Sequence, residues 1–203
     1  MKKLFVAAIG ALLSFTLVST AFAGSASATW KPKPPSQTIT DIVASSGGTF
    51  DKNRRDYDIL LNAVIAADLA ETLATPGLDV TVWAPNDAAF VRTARDLGYK
   101  GWSEQGAFDF IVGALTQLGG GDPIPLLTTI LTYHVTPEAR GVFSVLTTKT
   151  FPTLQGGTIV RHGFTLQDKD PDFRDPNLTL PLQVRASNGI IHTIDRVLLP
   201  ANI

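Results

Sequence analysis

One stretch of the chain decides the fold: Thr81-Val82-Trp83-Ala84-Pro85-Asn86-Asp87-Ala88-Ala89-Phe90. The β-branched and aromatic residues over positions 80–84 predict a buried strand, because such side chains pack well on a pleated sheet. Pro85 predicts the end of that strand, since proline has no backbone N–H to donate. Asn86 is a favourable N-cap residue, and Asp87 places a negative charge at a helix N-terminus. The stretch therefore predicts a strand followed at once by a helix that begins near Asn86.

Two further segments carry strong structural signals. Near the C-terminus the sequence is Asn188-Gly189-Ile190-Ile191-His192-Thr193-Ile194-Asp195-Arg196-Val197-Leu198-Leu199-Pro200. Its Asn-Gly pair is a turn signal, and the apolar residues that follow predict a strand over positions 190–198. Between the first and last segments lies Leu131-Thr132-Tyr133-His134, at the end of an apolar helical pattern.

The order of the predicted elements indicates the fold class. Helical patterns occupy most of the chain before Tyr133. The strand candidates that follow cover positions 151–154, 158–160, 164–167 and 182–186. Helices first and strands later are typical of an α+β domain rather than of an alternating parallel sheet.

Together the three segments resemble the motifs of the fasciclin domain, an extracellular adhesion module, and the similarity covers residues 38–200. The resemblance implies an α+β fasciclin-like fold, a twisted β-wedge or sandwich flanked by several α-helices. It also implies a single module. The positions that match the structural motif of the family are Trp83, Pro85, Asn86, Asp87, Phe90, Asn188, Gly189, His192 and Asp195.

The resemblance also implies roles for the Tyr133-His134 pair. In the fasciclin family the equivalent pair is tied to the core and, in animal members, to cell-surface binding, so Tyr133 and His134 are candidate partner-binding residues. The apolar neighbours of His134 favour another interpretation, a buried histidine satisfied by hydrogen bonds. Animal members that bind integrins carry an Asp-Ile pair where this chain has Gln183 and Val184. Integrin-type adhesion is therefore not expected.

The N-terminal residues predict export from the cytoplasm. Lys2-Lys3 precede an apolar run over positions 4–18, and Ala21-Phe22-Ala23 matches a small-x-small cleavage site. We predict a signal peptide at 1–23, a proline-rich linker at 24–37 and a fasciclin-like domain at 38–203. The alternatives are a retained membrane anchor for the first segment and, for the linker, an arm that faces the cell wall or a partner. The apolar run is shorter than the ~20 residues of a spanning helix, which argues against the retained anchor. No later segment of the sequence could span a bilayer, so we expect no membrane span in the mature chain.

Composition limits the compartment and the partners. The chain has no cysteine, which excludes disulfides and thiolate metal sites. Without Lys2 and Lys3 the mature chain has 15 basic against 18 acidic residues, a net charge of −3. That balance gives no electrostatic footprint for nucleic acid. We therefore expect a bacterial protein that is secreted, periplasmic or on the cell surface, with no nucleic-acid partner.

The loop at positions 168–177 is the candidate metal site. Its carboxylates are those of Asp168, Asp170, Asp172 and Asp175. Alternating aspartates present the hard oxygen ligands that calcium prefers, whereas aspartates beside Pro171 and Pro176 are also typical of solvated turns. A helix–loop–helix calcium site is excluded, because Phe173 stands where it needs glycine and Thr179 where it needs glutamate. Calcium is the one cofactor that the sequence suggests.

The sequence lacks the common enzyme motifs. It contains no Gly-x-Ser-x-Gly elbow, His-Glu-x-x-His pair, phosphate loop or dinucleotide fingerprint. Ser187, His192 and Asp195 supply the residue types of a triad, but His192 and Asp195 would face opposite sides of one strand. We therefore predict a non-catalytic extracellular adhesion or matrix-binding module, whose partner is a cell-surface or matrix protein or polysaccharide. The alternatives are a soluble small-ligand or calcium-dependent binding protein, and an uncharacterised enzyme.

Overall fold

The structure of the protein is a computed structural model that describes residues 34–201. The predicted signal peptide and most of the predicted linker, up to residue 33, lie outside these residues. The helices are α1 (Ile39–Ser46), α2 (Asp58–Ala66), α3 (Ala70–Ala74), α4 (Asp87–Asp96), α5 (Glu104–Leu118), α6 (Ile124–Tyr133) and α7 (Val142–Thr147). The strands are β1 (Val80–Pro85), β2 (Val135–Pro137), β3 (Thr150–Pro152), β4 (Thr158–His162), β5 (Thr165–Gln167), β6 (Val184–Ala186) and β7 (Gly189–Ile194). None of these helices is long and apolar enough to cross a membrane.

The strands form two sheets. The strand order is β2-β1-β7-β6 in the larger sheet and β3-β4-β5 in the smaller one. β1 and β7 run parallel, from Val80 opposite Gly189 to Pro85 opposite Ile194. The other strand pairings within residues 34–201 are antiparallel. The two segments that decide the fold thus lie side by side at the centre of one sheet, and the predicted α+β class is confirmed.

Both central strands are buried along their whole length. Side chains alternate between the two faces of a strand, so Val82 and Ala84 of β1 join the larger hydrophobic core with residues of the helices. Trp83 joins a second core on the other face, where its ring centroid lies 5.1 Å from that of Phe151 in β3. A strand covered on both faces is apolar throughout, which explains the run at positions 80–84.

Two helices begin as the sequence indicates. Asn86 Oδ1 accepts a hydrogen bond from the N–H of Ala89 at 3.0 Å, so α4 starts directly after β1. Thr38 caps α1 in a capping box, because its hydroxyl accepts the N–H of Asp41 while the Asp41 carboxylate accepts the N–H of Thr38. These bonds satisfy N–H groups that the first turn of a helix leaves unpaired.

The last strand is shorter than predicted. β7 ends at Ile194, whereas the sequence pattern extended the strand to Leu198. After Ile194 the N–H of Asp195 donates to the carbonyl of Asn177, and the N–H of Leu198 donates to His134 Nε2 at 2.9 Å. These bonds lead the chain away from the strand ladder. The apolar residues after Asp195 therefore fill the core as an irregular segment and not as strand.

The Asn188-Gly189 turn joins β6 to β7 and also holds two helices. Asn188 Oδ1 accepts the N–H of Ile39 at the start of α1 at 2.9 Å, and its Nδ2 donates to two carbonyls at the end of α3. At Gly189 a Cβ atom would lie 2.4 Å from the carbonyl oxygen of Val80. The glycine therefore permits the close approach of β1 to β7.

Candidate functional site

The Tyr133-His134 pair lies in the core at the end of α6. Tyr133 is fully buried, and its hydroxyl donates to the carbonyl of Thr158 at 3.1 Å. His134 is 3% exposed; its Nδ1 donates to the carbonyl of Ile130 at 2.8 Å, and its Nε2 accepts the N–H of Leu198 at 2.9 Å. Both ring nitrogens are thus satisfied in the neutral tautomer. This placement agrees with a buried, hydrogen-bonded histidine, and contact of either side chain with a partner stays a prediction.

Burial lowers the pKa of His134 to about 4. In the unfolded chain the ring binds a proton as the pH falls through about 6.5, whereas the folded protein resists that proton until about pH 4. Because the unfolded state then holds more protons, the contribution of His134 to stability is complete above pH 6.5 and is lost as the pH falls toward 4. The loss from this residue amounts to about 3 kcal/mol.

We expect His134→Gln to flatten this pH dependence. Between pH 7 and pH 4, measured by urea unfolding, the wild-type protein should lose about 3 kcal/mol more stability than the variant, since other titrating groups cancel in the comparison. If the wild-type protein and His134→Gln lost the same stability between pH 7 and pH 4, His134 would not be the source of this pH dependence.

At pH 7, His134→Ala should lower the free energy of unfolding by about 1–3 kcal/mol, because two buried backbone groups lose their partner. An unchanged melting temperature in His134→Ala with loss of partner binding would instead make His134 a contact residue.

Trp83 and His192, two other residues of the family motif, also make buried contacts that stabilise the fold. Trp83 donates from Nε1 to Thr136 Oγ1 at 3.0 Å, and its ring stacks on that of His192 with centroids 5.4 Å apart. His192 is fully buried, and its two ring nitrogens face the carbonyl oxygens of Leu182 and Arg140. His192 has no nitrogen left to act as a general base, which agrees with the absence of a triad.

In the loop at 168–177 the carboxylates hold the backbone. Asp168 Oδ1 accepts the N–H of Asp170 at 2.9 Å, and Asp170 Oδ1 accepts the N–H groups of Asp172 (2.8 Å) and Phe173 (3.1 Å). Asp175 Oδ1 accepts the N–H of Asp168 at 3.2 Å. Such bonds are typical of Asx turns. Within residues 34–201, the acidic side chains that converge in threes to within 4.8 Å lie elsewhere, and calcium binding by this loop stays a prediction.

The converging carboxylates lie where the loop between α1 and α2 meets the starts of three helices. One set is Asp51, Asp58 and Glu104, and the other is Asp56, Asp58 and Asp87. Within each set, one oxygen of every carboxylate lies within 4.8 Å of one oxygen of the other two. We call these five residues the acidic cluster. Asp58, Asp87 and Glu104 begin α2, α4 and α5, where negative charge is favourable. Because each carboxylate suits its own helix start, the sequence pattern does not indicate that they form a cluster.

Most of the acidic cluster is buried. Asp58, Asp87 and Glu104 expose at most 2% of their surface, and Asp56 exposes 4%. Burial raises the pKa of Asp58 and of Glu104. Burial and the neighbouring Asp56 carboxyl together raise the pKa of Asp87 to about 9.

Raised carboxyl pKa values are also typical of catalytic acids. In Asp87, however, Oδ2 accepts the N–H of Asp58 at 3.1 Å and Oδ1 accepts the N–H of Ile59 at 2.8 Å. The residue is also fully buried. A substrate has no access to this carboxyl, so Asp87 does not favour the enzyme alternative.

A cationic cleft lies beside the acidic cluster. It has a volume of about 610 Å³, and its lining includes Arg54, Arg55, Arg92, Trp102 and Leu180. We call it the arginine–tryptophan cleft. Trp102 is 57% exposed and Leu180 is 78% exposed. Large exposed apolar side chains beside unpaired charges mark surfaces that bind partners.

Two arginines lie near the Trp102 ring. The Cζ atom of Arg95 lies 3.6 Å from the ring centroid, and that of Arg54 lies 5.5 Å from it. Arg54 Nη2 also donates to the Trp102 carbonyl at 3.0 Å. The ion pairs of residues 34–201 join Arg140 to Glu138 and Arg196 to Asp96. Neither of these pairs involves an arginine of the cleft.

Two small apolar cavities lie in the larger core. Their volumes are about 80 and 70 Å³, whereas small-molecule sites usually measure about 300–1,000 Å³. A protein that binds a small ligand is expected to enclose it in a pocket of that size, and neither cavity is large enough.

Comparisons with known proteins agree with the resemblance seen in the motifs. The family model of the Fasciclin domain matches residues 55–200. The uncharacterized protein sll1735 of Synechocystis sp. is 31% identical over 144 residues, which cover 70% of this chain and 89% of that protein. Protein sll1483 of the same organism is 29% identical over 201 residues, which cover 96% of each chain.

Among solved structures, a FAS1 domain pair from the insect cell adhesion molecule fasciclin I has a similar fold. The TM-score is 0.52 at 15% sequence identity, and the match covers 81% of this chain and 51% of that one. The chain thus spans about half the length of the domain pair, and the likeness is one of fold.

Proposed function

Since this chain belongs to the fasciclin domain family, we propose that it is a non-catalytic extracellular adhesion module that binds an acidic polysaccharide through the arginine–tryptophan cleft. The observation that supports this most is that Arg54 and Arg95, which form no ion pair within residues 34–201, lie beside the exposed ring of Trp102. Fasciclin domains are typically extracellular, and the N-terminal sequence is that expected of an exported protein.

The chemistry of the cleft suits a charged sugar chain. The guanidinium fork of arginine matches the two oxygens of a carboxylate and binds them more specifically than lysine does. Arg95 lies against the Trp102 ring, but the tryptophan is still 57% exposed. The exposed part of the indole offers an apolar surface that a sugar ring can contact while its hydroxyl groups stay in water. An open cleft of about 610 Å³ also accommodates a segment of a longer chain.

The charge of the whole protein favours a polymer with sparse negative charge. Double-stranded DNA carries about one charge per 1.7 Å, and a mature chain with a net charge of −3 would be repelled by it. A polyuronate carries one carboxylate per sugar ring and need place only a few of them in the cleft. The local arginines then outweigh the long-range repulsion, which salt screens within about 10 Å.

We expect the purified protein to bind immobilised polygalacturonate or alginate and to bind neutral dextran much more weakly. Arg55→Gln/Arg92→Gln should lower the affinity roughly tenfold or more, since two charge contacts worth about 0.7 kcal/mol each give that factor. Trp102→Ala should also lower it, and salt should weaken the binding of the wild-type protein. Surface plasmon resonance at two salt concentrations measures all of these effects.

The matched control is Lys149→Gln/Arg185→Gln. Both residues are exposed and lie outside the cleft, so this variant has the same net charge as the test variant. It should keep the wild-type affinity. An equal loss of affinity in both double variants would show that only the net charge of the protein matters, and it would overturn the proposed site. Equal binding to dextran and to the acidic polymers would overturn the proposed ligand class.

A further inference from the structure

The acidic cluster contains buried carboxylate oxygens without a partner. Asp58 Oδ2 and Glu104 Oε1 make no hydrogen bond to any group within residues 34–201. Both residues are more than nine-tenths buried, with exposures of 0% and 2%. Burying a charged oxygen without a partner is costly. A bound proton, a water molecule or a cation would each lower this cost.

We propose that Asp51, Asp58 and Glu104 form a binding site for a calcium ion. The backbone already holds one oxygen of each buried carboxylate: the N–H of Gly48 donates to Asp58 Oδ1, and the N–H of Asp51 donates to Glu104 Oε2 at 2.8 Å. The oxygens that remain, Asp58 Oδ2 and Glu104 Oε1, are the ones available to the ion. Asp51 supplies the third carboxylate, one oxygen of which lies within 4.8 Å of one oxygen of Asp58 and of one oxygen of Glu104.

The ligand set suits calcium better than other common cations. It consists of carboxylate oxygens, without the nitrogen or sulfur ligands that zinc and copper prefer. Calcium accepts six to eight oxygens in flexible geometry, whereas magnesium needs a near-ideal octahedron. Asp51 is exposed, so water can reach the site to complete the coordination shell and the ion has a path of entry.

The backbone is shaped to this carboxylate group. A Cβ atom at Gly47 would lie 2.1 Å from Asp58 Oδ1. Gly48 follows with φ +144°, in the region that glycine favours. Two consecutive glycines thus allow the loop after α1 to pass directly over Asp58.

The second set of the acidic cluster is a weaker candidate for the ion. Both oxygens of Asp87 already accept backbone N–H groups, and Asp56, Asp58 and Asp87 are all buried. That set has no exposed member through which an ion and its water ligands would enter. We therefore assign the ion to the set that includes Asp51.

The position of the site gives it a structural consequence. The loop that supplies Asp51 continues into Arg54 and Arg55, and Glu104 begins α5 two positions after Trp102. A calcium ion would tie these two segments together and fix the arginines relative to the ring. Ion binding at this site does not depend on whether the cleft binds a polysaccharide.

The test is a thermal melt of the purified protein in chelator, in about 5 mM calcium and in about 5 mM magnesium. With an affinity of ~0.1–1 mM, as in extracellular modules, calcium should raise the Tm by roughly 2–8 °C. Magnesium should raise it less. Glu104→Gln keeps an acceptor for the Asp51 N–H and removes one charged ligand. It should melt in chelator at or above the wild-type temperature and should lose the calcium shift.

The matched control is Asp170→Asn/Asp172→Asn in the loop at 168–177, which should keep the full shift. A shift that survives in Glu104→Gln but disappears in the loop variant would place the ion in that loop and overturn the proposal. No shift in the wild-type protein would also overturn it.

Terbium luminescence provides a second measurement. Trp102 lies two positions from Glu104 and should sensitise a bound terbium ion. The signal should saturate, should be displaced by calcium and should be lost in Glu104→Gln. A signal that Glu104→Gln leaves unchanged would count against the site. Because neither measurement contains a polysaccharide, failure here leaves the proposed adhesion function to be judged by its own experiment.

Discussion

Gly189→Ala should lower the free energy of unfolding by about 3 kcal/mol, whereas Gly113→Ala should raise it by up to about 1 kcal/mol. At Gly189 the added Cβ would lie 2.4 Å from the carbonyl oxygen of Val80 and 2.9 Å from Ile39 Cδ1. The first of these atoms belongs to the backbone of a central buried strand, so it cannot move aside without disturbing the parallel pair. At Gly113, in the middle of α5, a Cβ would meet nothing within 4 Å.

Chemical denaturation of the two variants beside the wild-type protein measures both effects. Both variants add the same methyl group. Opposite changes in their free energy of unfolding must therefore come from the different surroundings of the two glycines. Gain of helix propensity should dominate at the exposed Gly113, while steric overlap should dominate at Gly189. If Gly189→Ala were neutral, β1 and β7 would not approach each other as closely as the structure describes.

Asn188→Ala should lower the free energy of unfolding by about 2–4 kcal/mol. The side chain is 2% exposed and makes three hydrogen bonds, from the Ile39 N–H at 2.9 Å and to the carbonyls of Leu73 at 2.8 Å and Thr75 at 3.1 Å. The Ile39 N–H belongs to the first turn of α1 and would be left buried without an acceptor. Water can reach the carbonyl of the exposed Thr75, which limits the total cost.

The control for Asn188→Ala is Gln105→Ala. Gln105 is exposed on α5, and its amide bonds only to Asp109 at 2.9 Å, one turn further along the same helix. Its loss should change the stability by at most about 0.5 kcal/mol. Similar urea midpoints for the two variants would show that Asn188 does not link α1 and α3 to the sheet.

The sequence predicts the centre of the fold well, because local and tertiary preferences agree there. Val82, Trp83 and Ala84 favour a strand and are buried in one, and Asn86 caps the helix that follows. Agreement between levels is what makes a pattern reliable. The predicted length of β7 was wrong because apolar residues alone do not distinguish a strand from an irregular buried segment. Hydrogen bonds of Asp195 and Leu198 to distant residues end the strand.

The candidate sites were harder to predict because their residues meet only in the folded chain. Arg54 and Trp102 are 48 positions apart, and Glu104 is 53 positions from Asp51. No spacing rule connects such residues. The aspartates at 168–175 suggested a metal site because they are close together in sequence. The carboxylates of the acidic cluster, in contrast, come from three separate helices and a loop. Carboxylates that are close in sequence show only that a segment is acidic, whereas a cation site requires carboxylates that are close in space.

The parallel pair of β1 and β7 also determines the order in which the domain can fold. Val80 and Gly189 are 109 positions apart, and the entropy lost in closing so long a loop must be met before their contacts form. β3, β4 and β5 lie within residues 150–167 and can associate early. A nascent chain that lacks β7 leaves one edge of β1 without its partner. In an exported protein, this dependence on the last strand would delay folding until translocation is nearly complete and keep the chain able to pass through the secretion channel.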